Sequence, residues 1–217
     1  MTPVRAYRSV DSCHFGLEGV HAPMKTQDRP LDDDALAMAD LAEVPDWTAV
    51  AGPDADQTGE AVVRALVQRV TAATGWQPWD LEPGETIGDE AASWGFTTRR
   101  GVTMIVFDGL AFADVRTSGW SAYQIGPDDI SEAEAGLDAH WPEHLELAVK
   151  TWGSPSYVGT SVGNPGFLDE WGPGSGADRR HLAVWVRPGA QLQLFSTTPT
   201  RDPLTPSVGI NYAVYID

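Results

Sequence analysis

The segment His140-Trp141-Pro142-Glu143-His144 places two histidines four residues apart around a glutamate. This is the H-x-x-E-H spacing in which two imidazoles one helical turn apart hold zinc while the carboxylate activates water. Two features oppose that chemistry. Pro142 suits the first turn of a helix, where a missing N–H costs nothing, and a helix beginning there leaves His140 outside the turn that carries His144. A third ligand is also hard to place, because beyond Glu146 the only glutamate is Glu170, in a glycine-rich loop. The plainer reading is a histidine pair at a helix start, on the edge of an apolar face, with no metal. A metal-dependent hydrolase using His140 and His144 is kept as the one concrete enzymatic alternative.

Other reactive residues point less clearly to chemistry. Cys13, His14 and His21 have the types of a thiolate–imidazole pair, but near neighbours in an irregular segment seldom converge on one centre. Asp128 and Asp129, with Glu132 and Glu134, put carboxylates around a helix start, where complementing the helix dipole explains them as well as acid–base work does. There is no Ser-His-Asp pattern and no nucleophile elbow. The stretch from Gly159 to Gly176 holds six glycines but lacks the lysine and following hydroxyl of a phosphate loop. No catalytic residue and no cofactor is therefore expected. That stretch reads either as a plain surface loop or as a partner-contacting one, since Phe167 and Trp171 are costly in a loop unless they dock somewhere. Phe167, Trp171, Asp128 and Asp129 are the candidate partner-binding residues.

The charge fits a binding role. Thirty-one acidic residues against fourteen basic ones give a net charge of −17. Such a chain repels nucleic acid and anionic lipid and favours a basic protein partner by long-range steering. Acidity alone also serves solubility. The single cysteine and the absence of an apolar run of about 18 residues or of a signal-like N-terminus lead us to expect a cytoplasmic protein that neither crosses a membrane nor needs a disulfide. At 217 residues the fold can bury roughly 70 per cent of its unfolded surface without a metal or cofactor. Lysine occurs only at Lys25 and Lys150, and Ala, Gly and Pro abound, as in the products of a GC-rich, actinobacterial genome.

The elements that must position these residues follow from periodicity. Residues 1–57 read as an acidic N-terminal arm with one short helix, Leu36 to Leu41, opened by Asp32, Asp33 and Asp34 and stopped by Pro45. Residues 58–217 read as an α+β domain. Val63, Leu66, Val67 and Val70 fall at helical spacing, with Gly75 as the left-handed cap and Trp76 folding back on the core. Val102–Phe107 and Ala111–Val115 flank Asp108-Gly109, a hairpin-turn dipeptide, and Trp120–Ile125 is expected to complete a three-strand meander. Asp128–Gly153 is expected as helix in two pieces, the first capped by Ser131 with Glu134 and the second starting at Pro142. In the second, Trp141, Leu145, Ala148, Val149 and Trp152 share one arc. His181–Arg187 and Gln191–Ser196 join across Pro188-Gly189, and Gly209–Ile216 closes a second meander with Tyr212, Val214 and Ile216 on one side. The sum is a mainly antiparallel sheet of two β-meanders with helices packed on one face.

The element order, together with Gly75-Trp76, the Asp108-Gly109 hairpin, Trp152-Gly153 and the late hairpin from Leu182 to Phe195, resembles small acidic actinobacterial proteins, many uncharacterised and others assigned as immunity proteins of toxin systems. The resemblance covers about residues 58–217 and carries no functional residue with it. It implies a non-catalytic binding domain that neutralises a basic toxin, antitoxin-like. The same order is similar to that of secretion chaperones, which implies an escort role or a part in an assembly, although that fold ends in a further helix and this chain in a strand.

Overall fold

The computed structural model describes residues 23–28, 30–51, 60–80, 94–107, 111–114, 120–164, 167, 179–197 and 207–217. Thirteen elements follow one another as β1 (Lys25–Asp28), α1 (Leu31–Ala42), α2 (Glu60–Thr74), β2 (Gln77–Asp80), β3 (Trp94–Thr97), β4 (Thr103–Phe107), β5 (Ala111–Asp114), β6 (Trp120–Tyr123), α3 (Ile130–Trp152), β7 (Tyr157–Thr160), β8 (Arg179–Arg187), β9 (Ala190–Thr197) and β10 (Ser207–Ile216).

The fold is α+β. Eight strands lie in the order β2-β3-β4-β5-β10-β9-β8-β7, each pair antiparallel. Two meanders thus meet where β5 pairs β10. The three-strand meander expected from Val102 to Ile125 has different members. β6 does not continue from β5; it pairs with β1 and with the first residues of β10, Ser207 to Gly209. β10 is long enough to take β6 at its start and β5 at Ala213–Tyr215, so a long-range partner wins the edge that a local hairpin would have used. β2 and β3 extend the first meander in its place.

Alternation along the long strands sets the two faces. Ala183 and Trp185 of β8, Leu192 and Leu194 of β9, and Ile210, Tyr212, Val214 and Ile216 of β10 all belong to the main hydrophobic cluster. The helices complete that cluster with Met38 and Leu41 of α1, Leu66 and Val70 of α2, and Leu137, Trp141 and Trp152 of α3. Leu182 and Val184 point the other way and pack with Phe167 in a second, smaller cluster.

α2 ends as its sequence implies. Gly75 takes φ +72° and its N–H donates to the Thr71 carbonyl at 2.9 Å. Trp76 then turns in at 2 % exposure and meets Trp47 and Phe96 edge-on.

α3 departs from expectation in being one unbroken helix with Pro142 inside it. Proline removes one intrahelical donor, but Pro142 is exposed, while Leu137, Trp141, His144, Ala148 and Trp152 form a continuous buried stripe on the core side. Burial along that stripe outweighs one lost hydrogen bond. Val149, expected on the same arc, is 38 % exposed. The Ser131–Glu134 capping box is also not formed. The helix begins at Ile130, its N-cap is Asp129, and Glu134 pairs instead with Arg180 at 3.1 Å.

Residues 31–51 contribute Ala37, Met38, Leu41, Trp47 and Val50 to the main cluster. The Trp152 indole N–H donates to the Met38 carbonyl at 2.8 Å, and the Trp47 N–H donates to Pro188 at the β8–β9 turn at 2.7 Å. Buried Asp40 accepts from the Arg100 backbone at 3.1 Å and pairs with its guanidinium. No helix among the described residues is long and apolar enough to cross a membrane.

Candidate functional site

Acidic side chains line α3 and α1 and their ends. Asp128 ahead of α3 and Glu132 and Glu146 on it are exposed, whereas half-buried Asp129 accepts from the Gly126 N–H at 3.1 Å and so shapes the turn that starts the helix. On α1, Asp32 and Glu43 face solvent, but Asp34 and Asp40 are turned into the interior.

Asp138 is the centre of the densest cluster. Arg180 grips its carboxylate with Nε and Nη2, both at 2.7 Å, and the His181 Nε2–H donates to it at 2.7 Å. The Arg180 hydrogen bonds, with His181 helping, hold the Asp138 pKa down at about 2. A register shift in β8 between Arg179 and His181 explains how adjacent Arg180 and His181 both reach α3, because a bulge re-aims side chains that strict alternation would send to opposite faces. Trp141 stacks on His181 with centroids 5.0 Å apart. The histidine–aspartate pair has the residue types of a catalytic dyad, but Ser196 Oγ accepts from the His181 backbone N–H at 3.1 Å and no hydroxyl among the described residues donates to the ring, so Ser196 is not placed as a nucleophile. The cluster pins α3 to β8. No local sequence signal marks it, since Asp138 and Arg180 lie 42 residues apart.

His140 and His144 sit one turn apart on the unbroken helix, with their rings given to different neighbours. The His140 ring lies flat on Trp120 at 5.5 Å, and its Nδ1–H donates to Glu143 at 2.9 Å. Gly136 makes room for that tryptophan, since a Cβ there would come within 2.4 Å of its ring. His144 is 1 % exposed; its Nδ1–H donates to the His140 carbonyl at 2.9 Å, and Nε2 faces Asp34 across 3.8 Å. Among the described residues no three His, Cys, Asp or Glu side chains are placed to hold a metal ion. Cys13, His14 and His21 lie outside the described residues, as does Trp171.

Burial pushes the His144 pKa below its ordinary 6.5, against the opposing pull of the His140 carbonyl and Glu143. The folded ring stays neutral where the unfolded one takes up a proton. His144 therefore contributes stability that is fully present above about pH 6.5 and falls away as pH drops below it. Urea unfolding between about pH 7.5 and about pH 5.5 should lose up to about 1.4 kcal/mol per pH unit from this group, and His144→Gln should flatten that slope. Equal slopes in both proteins would remove the assignment.

Phe167 does not stand out from the surface. It is 2 % exposed, packs on Leu182 and Val184, and stacks against Tyr157 at 6.2 Å. Its cost in a loop is met by docking on the chain's own sheet. A cleft of about 200 Å³ lies between α1 and the end of α2, walled by Glu43, Asp46, Thr74, Trp76 and Arg99. Arg100 lowers the Glu43 pKa, and the hydrogen bonds from Thr48 lower that of Asp46, so both rim carboxylates are ionised, with Arg99 and Arg100 paired to Glu43.

Most of the described arginines bind the chain's own acceptors, although Arg64, Arg99 and Arg100 are themselves exposed. Arg69 donates to the Val50 carbonyl, Arg99 to Thr74 and Arg187 to Trp152, while Arg100 and Arg180 are held by carboxylates. Many of the cations thus serve the chain's own acceptors, while Asp128, Glu132 and Glu146 face outward. Compared with protein-family models, curated proteins and solved structures, the chain matches none of them.

Proposed function

We propose that this protein is a non-catalytic binding domain that engages a basic protein partner, in the manner of an immunity protein neutralising a toxin. The observation that carries the reading is the segregation of charge. Five of the described arginines contact the chain's own acceptors, whereas Asp128 ahead of α3, Glu132 and Glu146 on α3 and Asp32 of α1 are exposed. Within a net charge of −17, the exposed carboxylates among the described residues outnumber the exposed cations, and the resulting negative field speeds encounter with basic surfaces. The hydrogen-bonded His181–Asp138 pair is engaged in holding α3 to β8, which favours binding over catalysis.

The test is a pull-down from the source organism's lysate with the full chain as bait, at low and at high salt. A basic partner that salt releases is the expected result. The triple variant Asp128→Lys, Glu132→Lys, Glu146→Lys removes exposed carboxylates and should slow association with that partner by at least about ten-fold at low salt. Association that is indifferent to both salt and the triple variant would end the reading.

A further inference from the structure

Among the described residues, the outer face of the sheet, opposite the helices, holds a buried cation without a buried anion. Arg179 is 5 % exposed. It opens β8 ahead of the bulge and crosses the sheet, its guanidinium carbon 4.5 Å from the Phe195 ring centroid and 5.7 Å from that of Tyr215. Nη1 donates to Gln193 Oε1 at 2.6 Å and Nη2 to the Tyr215 hydroxyl at 2.9 Å. Both acceptors are neutral, and among the described residues no carboxylate lies within ion-pair distance of it. The network is oriented: fully buried Gln193 donates its own amide to Gln191 Oε1 at 3.2 Å, which fixes its carbonyl toward the arginine. A guanidinium has five N–H donors, and these contacts use two. Contact with the Phe195 face lowers the cost of burying the charge without supplying a counter-charge.

The geometry points to a carboxylate-binding site at Arg179, in which a ligand carboxylate takes the unused guanidinium donors in the planar, two-oxygen manner that guanidinium favours. The half-buried rings of Phe195 and Tyr215 and the half-buried Gln191 form its rim on the outer face. The site is independent of the acidic surfaces of α1 and α3. Its salt response is the reverse of theirs, because screening weakens the repulsion between a −17 chain and an incoming anion.

The experiment follows the Arg179 Nε–H resonance of the full ¹⁵N-labelled chain while acetate replaces chloride at constant ionic strength, with a second arm using a short, end-capped glutamate peptide. A saturable shift with acetate assigns a small carboxylate, and one with the peptide alone assigns an acidic side chain of another protein; either supports the site. Gln193→Glu places a carboxylate 2.6 Å from Nη1 with little change of shape. It should raise the melting temperature and weaken the acetate or peptide response at least ten-fold. Arg179→Lys, which removes the fork, assigns the resonance. No shift of the wild-type Nε–H in either arm overturns the proposal.

Discussion

A chain beginning at residue 58 is expected not to fold cooperatively, although the sequence reads residues 1–57 as an arm. Met38, Leu41, Trp47 and Val50 are each at most 1 % exposed, and burial of such side chains contributes roughly 1.5–3 kcal/mol apiece. Their combined loss is about the size of a whole domain's stability, roughly 5–15 kcal/mol. Truncation also strips the acceptor from the Trp152 indole and the carboxylates from Arg100, leaving polar groups unpaired that were satisfied before. The fragment should keep far-ultraviolet ellipticity, lose near-ultraviolet signal and melt without a sharp transition. A cooperative urea transition within about 2 kcal/mol of the full chain would restore the boundary at residue 57.

What could be read from the sequence was whatever is decided locally. Gly75 followed by Trp76 forecasts a cap and an inward turn because only a left-handed residue lets the chain fold back there, and both occur. Pro188-Gly189 forecasts the β8–β9 hairpin in the same way, and the alternation of β10 picks out its buried side. Features settled by distant partners were not legible. Pro142 stops a helix by its own chemistry, yet Trp141 and His144 lie on a stripe that the sheet and α1 bury, and only the packed structure shows that burial winning. Nothing near Trp120 announces that β6 will pair with Ser207–Gly209 rather than with its neighbour in sequence. The Asp138–Arg180–His181 cluster depends on a bulge, which has no signature in the residue types. Periodicity places Asp34 and Asp40 at an acidic helix start and its far end, while their burial depends on His144 and Arg100, which belong to other elements.

The same contrast between local and distant causes makes Gly189→Ala the single substitution with the largest expected cost. Gly189 has φ +76°, and a Cβ on it would lie 2.6 Å from the Trp47 carbonyl carbon and 2.6 Å from the Thr48 nitrogen. Gly75 has a similar φ of +72° with nothing within 4 Å of that position. Gly75→Ala thus carries only the left-handed backbone penalty, about 1–2 kcal/mol. Gly189→Ala carries that penalty and must also push the hairpin away from a backbone segment that cannot rotate aside. Moving it lengthens the Trp47 N–H bond to Pro188 and the Asp217 N–H bond to Gly189, and unseats an indole that is 0 % exposed. A cost of about 3–5 kcal/mol is expected. Urea midpoints of the two variants, measured side by side, separate the contributions. If both lose the same amount, the hairpin tip is not braced against residues 47–48, and the anchoring of the N-terminal segment rests on α1 alone.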